Sequence, residues 1–292
     1  MAKSVLGIIG GSGVYDMHME HARWETIDSP WGMPSDQVRR GEIDGLPLVF
    51  LPRHGRGHPY SPTTINYRAN IDVLKRAGVT DLVSLSACGS FREELSPGTF
   101  VLVGQFIDRT FAREKSFFGT GCVAHVSLAF PISPTLQDKA EAALKSLSIR
   151  YARGGTYLVM EGPQFSTLAE SELYRSWGCS VIGMTNMPEA KLAREAELPY
   201  CTVAMVTDYD SWHPHHGEVD ISAILKVLKA NVENASRFID RLARDFPREH
   251  EPCRLGSDTA LDHAILTAPD KRDPELMRKL DAVAGRVLKR GC

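Results

Sequence analysis

A chain of 292 residues with 43% hydrophobic side chains is long enough to bury a sizeable core, as one large domain or two small ones. Its 34 basic and 36 acidic side chains leave a net charge of −2, which gives no sign of a nucleic-acid-binding face or of attraction to an anionic membrane. No run approaches the roughly 20 apolar residues that span a bilayer, and the six cysteines stand without a CxxC pair, so a reduced cytosolic protein with a small-molecule partner is expected.

Short apolar runs rich in β-branched residues recur along the chain: VLGII (5–9), PLVFL (47–51), DLVSLSA (81–87), FVLVGQFI (100–107), TYLVME (156–161), SVIGM (180–184) and YCTVAMVTD (200–208). Such runs predict strands buried on both faces. Between them, Ser133 and Pro134 supply a cap and first-turn proline for a helix carrying Leu136, Ala140, Ala143, Leu144 and Leu147 at helical spacing. The longest predicted helix starts near Asp220 and gathers Ile221, Ile224, Leu225, Leu228, Val232 and Leu242 on roughly one face, with Lys226, Lys229, Arg237 and Arg241 left to solvent. The alternation predicts one α/β domain over 1–246 around a central sheet. From 247 to 292 the chain is charged and strand-poor, and is read as an appended tail with helices around Asp258–Thr267 and Pro274–Lys289, packed on its own domain or on a neighbouring subunit.

Several strand ends carry anion donors. Gly10-Gly11-Ser12-Gly13 follows the first strand with open backbone and a hydroxyl, although a ligand-free tight turn fits equally well. Arg53-His54-Gly55-Arg56-Gly57-His58 follows the second with guanidinium and imidazole groups that suit an oxyanion, where an exposed basic loop is the plainer alternative. Ser86, Ala87 and Gly89 add a hydroxyl and unobstructed backbone at a third. In open α/β sheets ligands gather at the carboxyl ends of strands, so these loops are expected to converge.

The strand at 203–207 terminates in Asp208 and Asp210, which extended backbone places on one face. Two close carboxyls raise one another's proton affinity, so one of them is a candidate general acid near neutral pH. A calcium loop wants more oxygen ligands than Ser211-Trp212-His213-Pro214 provides, and capping aspartates remain the bland alternative. His213, His215 and His216 are read as surface residues, and no metal site is expected.

With IIGGSG, RHGRGH, SACGSF, EGPQFST, GMTNMPEA and VTDYDSW in this order, the chain resembles the trimeric purine-nucleoside phosphorylases, particularly the methylthioadenosine phosphorylase branch, from Val5 to about Phe246. The resemblance implies a mixed sheet flanked by helices and a phosphate site made of Ser12, Arg53, His54, Ser86, Ala87 and Thr185. It places Phe165 against the purine or ribose face, Met184 beneath the sugar, and His125, Ile221, Ile224 and Leu225 around the 5′ substituent, with His125 reaching a neighbouring subunit's site. Asp208 is then the proton donor to the purine imidazole nitrogen and Asp210 the acceptor for an exocyclic amine, which favours 6-aminopurines.

The implied reaction is phosphorolysis of 5′-methylthioadenosine to adenine and 5-methylthioribose 1-phosphate, in purine and methionine salvage. Inorganic phosphate is a co-substrate, no cofactor or metal takes part, and the assembly is a homotrimer or a dimer of trimers. Ser12 and Ser86 depart from the threonines common in some relatives, and Gly183 stands where bulkier residues also occur. Three rivals are a phosphorylase acting on inosine, guanosine or methylthioinosine, a water-using nucleosidase and a nonenzymatic nucleotide-binding protein. The carboxylate pair weighs against the first, the anion donors against the second, and the presence of a proton donor against the third.

Overall fold

The computed structural model describes residues 2–11, 15, 17–213 and 221–288. One mixed sheet contains β1 (Leu6–Gly10), β2 (Glu20–Glu25), β3 (Val38–Ile43), β4 (Leu46–Pro52), β5 (Asp81–Ser90), β6 (Phe100–Leu102), β7 (Gln105–Asp108), β8 (Tyr151–Arg153), β9 (Thr156–Val159), β10 (Val181–Gly183) and β11 (Tyr200–Tyr209). The helices are α1 (Tyr67–Arg76), α2 (Pro134–Ser146), α3 (Leu168–Ser176), α4 (Asn186–Glu195), α5 (Ile221–Asp245), α6 (Pro274–Lys279) and α7 (Gly285–Leu288).

The uninterrupted apolar strands have a simple cause. Leu6 and Ile8 of β1, Val83 and Leu85 of β5, and Val203 and Met205 of β11 pack into one core, with Leu136, Ala140 and Leu144 of α2 and Phe238, Ile239 and Leu242 of α5. Their neighbours Ile9, Leu82, Ala204 and Val206 point to the other face and meet Ile71 and Leu74 of α1 and Ala190, Leu192 and Ala193 of α4. With helices on both faces, the period-two alternation of a half-exposed strand has no reason to appear. The α2 start follows the predicted cap, with Ser133 Oγ accepting from Leu136 N and Pro134 in the first turn.

Each predicted run falls in a strand, with one division. FVLVGQFI separates at Gly104, where a side chain would meet the Cα of Gly154 at 3.4 Å, and β6 pairs with β11 and β8 while β7 pairs with β9. The strands β2, β3 and β8 carried no such signal; β2, EHARWE, is largely exposed and lies at one end of the pairing path. The tail also differs from expectation. Among its described residues, 3₁₀ turns at Ser257–Thr259 and Pro269–Lys271 and the short helices α6 and α7 replace two longer helices. Leu261, Ala264, Leu280, Val283 and Ala284 of this tail enter the α1/α4 core of their own chain.

β5 is the hub. One of its edges pairs with β11 along nearly its whole length, from Leu82 to Ser90. The other pairs with β1 only over Asp81–Leu85 and with β10 only over Gly89 and Ser90. Ser86, Ala87 and Cys88 therefore have no strand partner on that side, and there the cavity opens.

Candidate active site

A cavity of about 750 Å³ lies at the carboxyl ends of β1, β4, β5, β10 and β11, the position expected for a ligand in an α/β sheet. It brings together Arg53, His54, Ser86, Ala87, Phe165, Met184, Thr185, Asp208, Asp210, Ile224 and Leu225, eleven of the fourteen residues singled out from the sequence. Ser12 and the side chain of Ile221 lie outside the described residues. His125 lies on an exposed loop away from this cavity, its backbone N–H donating to Ala264 O at 2.9 Å.

One end of the cavity collects donors. Arg53 is almost fully buried and makes a bidentate ion pair with Glu189 of α4, Nε to Oε2 at 2.8 Å and Nη2 to Oε1 at 3.2 Å. Its other bonds go to Leu85 O from Nη1 and to Ile9 O and Ser84 Oγ from Nη2, which leaves one Nη1 hydrogen over among these contacts. Arg53 thus ties the ends of β1, β4 and β5 to α4 and faces the cavity as a fixed charge. Tyr200 Oη also donates to Glu189 Oε1, at 2.8 Å, and Asn186 Nδ2 reaches Ser84, Tyr200 and Thr202, so Arg53 and Glu189 are held in a buried polar network.

Beside it, Ser86 Oγ lies 2.9 Å from Tyr157 Oη and 3.2 Å from Thr185 Oγ1. His54 Nδ1 donates to Tyr60 O at 2.9 Å, which leaves Nε2 as the ring's acceptor. Burial, with Arg53 nearby, lowers the imidazole to about 4, so the ring is neutral at physiological pH. Its plane stacks on His58 at 4.1 Å between centroids.

At the other end stand the two carboxyls. A β-bulge between Val206 and Asp208 inserts Thr207 as an extra residue opposite β5 and re-aims the strand end. Asp208 is pushed up to about 7, chiefly by burial and to a lesser extent by the charge of Asp210, while the bond from Thr207 Oγ1 to its Oδ1 at 2.6 Å pulls the other way. Mutual repulsion, the reason anticipated from spacing, is therefore the smaller cause. Burial raises Asp210 as well. Ser166 Oγ reaches its Oδ1 at 3.5 Å, and its Oδ2 is buried with no hydrogen-bond partner among the described residues. Gly89 makes room for the pair, since a methyl there would sit 3.3 Å from Asp208 Oδ2.

A second buried network shapes the middle. Glu161 accepts from Thr63 Oγ1, Phe111 N and Arg113 Nε, at 2.6, 2.6 and 3.0 Å, and these bonds outweigh burial and hold its carboxyl down at about 2. Arg113 Nη1 then donates to Met184 O at 2.6 Å and Met187 O at 2.7 Å. The segments carrying Phe165 and Met184 are fastened together by this pair. Phe165 is 47% exposed at the cavity mouth, where an aromatic face is free to stack.

Of the three histidines read as surface residues, His213 needs correction. His213 is buried, stacked on Tyr209 at 4.5 Å and 3.1 Å from Glu93 Oε1, because the aromatic side chains after β11 fold back over it. His215 and His216 lie outside the described residues. Functional candidates that sequence reasoning missed are Glu189, Tyr157, Thr207 and the Glu161–Arg113 pair. Glu189, Tyr157, Glu161 and Arg113 read locally as core or as solvated charge, and only tertiary contact reveals them, whereas Thr207 acts on its neighbour Asp208.

Residues 5–244 match the model of the phosphorylase superfamily. The chain is 67% identical to the S-methyl-5′-thioadenosine phosphorylase of Bradyrhizobium diazoefficiens over 99% of its own length and 100% of the relative's. It is 64% identical to that of Cereibacter sphaeroides, over 98% of this chain and 99% of the relative. Its structure superposes with a TM-score of 0.88 on a methylthioadenosine phosphorylase sourced from an antarctic soil metagenomic library, at 41% identity, covering 97% of this chain and 99% of that one. The Schistosoma mansoni methylthioadenosine phosphorylase in complex with tubercidin superposes with a TM-score of 0.76 at 32% identity, over 82% and 91% of the two chains. The chain belongs to the phosphorylase superfamily.

Proposed function

We infer that the protein is a 5′-methylthioadenosine phosphorylase, which transfers the 5-methylthioribosyl group from adenine to inorganic phosphate. The observation that carries this reading is the pairing, across one cavity, of buried anion donors at one end with two carboxyls raised by burial at the other. Phosphate fits against Ser86, Thr185, the Ala87 backbone and Arg53. Neutral His54 offers Nε2 as an acceptor for the proton that HPO₄²⁻ retains. Asp208 in its acid form donates to N7 of the base, and Asp210 Oδ2 receives the exocyclic amine of a 6-aminopurine.

The steps balance without a covalent enzyme intermediate. The C1′–N9 bond breaks with its electron pair going to the purine, and the Asp208 proton moves to N7. A phosphate oxygen then bonds to the electron-poor C1′, and Asp208 is reprotonated from solvent. Phosphate lies on the side of the sugar where positive charge develops, so its own charge lowers the barrier. Ile224, Leu225 and Leu228 of α5 offer an apolar wall suited to a methylthio group.

We place the enzyme in the cytosol as a homotrimer in which His125 completes a neighbour's site; its position on an exposed loop outside its own cavity supports this arrangement. The test is adenine release from 5′-methylthioadenosine with and without phosphate, beside adenosine, inosine and methylthioinosine. Strictly phosphate-dependent release that favours the methylthio-adenine compound is expected. Release in phosphate-free buffer, or preference for the 6-oxopurines, overturns the reading.

A further inference from the structure

Tyr157 lies in β9, is fully buried, and sends its hydroxyl to the anion end of the cavity. Among the described residues that hydroxyl has one hydrogen-bond partner, Ser86 Oγ at 2.9 Å. Proton bookkeeping orients the bond. If Ser86 donated, the phenolic hydrogen would be left buried and unpaired, which is unfavourable. Burial also pushes the phenol far above its usual range, so it keeps its proton throughout the working pH range.

The chain around it is built for that hydroxyl. A Cβ at Gly183 would fall 1.9 Å from Tyr157 Oη and 2.8 Å from Cζ, so residue 183 is glycine because the phenol occupies its side-chain space. Ser86 Oγ is shared in turn with Thr185 Oγ1 at 3.2 Å. With one Ser86 lone pair taken by the phenol, two hydrogens remain on Ser86 and Thr185. Ser86 Oγ also donates to Ala87 O at 3.2 Å, so the Thr185 hydrogen is the one available to turn to the cavity, and a bound oxyanion competes with Ala87 O for that of Ser86.

We propose that Tyr157 is a positioning residue for the anion site: its hydroxyl donates to Ser86 and turns the Ser86–Thr185 pair into a polarised donor for the bound oxyanion. A chain of hydroxyls donating in one direction strengthens its last member. The inference rests on the phosphate assignment above and adds to it a residue that never touches the anion.

The experiment is a double-mutant cycle on the full enzyme with Tyr157→Phe and Ser86→Ala, reading KM for phosphate, KM for the nucleoside and the thermal midpoint. Phenylalanine keeps the ring and removes only the donor. Tyr157→Phe is expected to raise the phosphate KM about five- to tenfold while changing the nucleoside KM less than about twofold. In the Ser86→Ala background the same change is expected to have almost no effect on phosphate KM, because its target is gone. An unchanged phosphate KM in Tyr157→Phe, or an equal rise in both backgrounds, overturns the proposal and makes the residue a packing element. If Ser86→Ala itself leaves phosphate KM unchanged, the phosphate assignment of that hydroxyl has failed, and the proposal fails with it.

Discussion

Asp208→Asn removes the proposed acid while keeping the side chain's size. General acid assistance is typically worth about 10²–10⁴-fold, so kcat is expected to fall by about that factor, with little change in affinity for phosphate. The structure also sets a pH dependence. With Asp208 at about 7, the acid form falls from about nine-tenths near pH 6 to about one-tenth near pH 8. The sign follows from a raised carboxyl pKa: the proton donor is present below it and lost above it. The parent kcat/KM for the nucleoside, which reports the free enzyme, should therefore drop about tenfold over that interval at saturating phosphate. Adenine release followed by chromatography across the range measures this, and Asp208→Asn should lack the limb. Thr207→Val removes the bond that favours the ionised carboxylate and is expected to move the limb to higher pH. Near-parental turnover in Asp208→Asn, or the same limb in that variant, would refute the acid role.

Asp210→Asn puts a donor where Oδ2 now stands and is expected to raise inosine or methylthioinosine turnover relative to the 6-amino substrates; an unchanged substrate ratio removes Asp210 from base selection. Glu189→Gln leaves the Arg53 cation buried without its counter-charge, which should cost about 3–5 kcal/mol in a denaturant titration; a midpoint shift worth less than about 1 kcal/mol would deny the ion pair that role. His250 donates to Asp258 Oδ1 at 2.7 Å and Asp81 Oδ2 at 2.8 Å, and these bonds raise it to about 9. Its contribution is complete below the unfolded value of about 6.5 and lost as pH rises through about 9, so the thermal midpoint of the parent should fall over that range more than that of His250→Gln.

How much of this was legible in the sequence depended on how local the cause is. Strands β1, β4, β5, β10 and β11 announce themselves because both of their faces are covered, and burial on both faces writes a continuous apolar run. β2 is mostly exposed and wrote none. The helical spacing in Asp258–Thr267 lost to tertiary pairing: Leu266 N bonds Val123 O, and Ile265 bridges Ala124, so this segment runs along the loop that carries His125. The site divides in the same way. The residues proposed to meet a ligand sit at strand ends in glycine-rich or acidic motifs, which stand out locally. Residues that hold them in place come from far along the chain. Glu189 meets Arg53 across 136 residues and Tyr157 meets Ser86 across 71, and no local pattern encodes such a partner.

The position of the cavity follows from a gap in the sheet's pairing. A strand interior normally loses both edges to hydrogen bonds, and its side chains to the core. In β5, β1 ends its pairing at Leu85 and β10 begins at Gly89, leaving Ser86, Ala87 and Cys88 with one unpaired edge in the middle of a buried sheet. Unpaired backbone polar groups are costly in an apolar interior; side-chain hydroxyls meet part of the need here, Ser86 Oγ donating to Ala87 O and Thr207 Oγ1 to Cys88 O, both at 3.2 Å, and the segment lines the cavity, where solvent or a polar ligand can meet the rest. The surrounding sequence accommodates that need with small residues: Ala87 and Gly89 on β5, and Gly183 across from Ala87 O. The same three-residue break also lies beside the bulge that turns Asp208 inward, because Asp208 pairs with Gly89 at the point where the β5–β11 register shifts. One interruption in the pairing thus brings the hydroxyl and backbone of Ser86 and Ala87 and the raised carboxyl of Asp208 to a single cavity, the combination on which the proposed displacement rests.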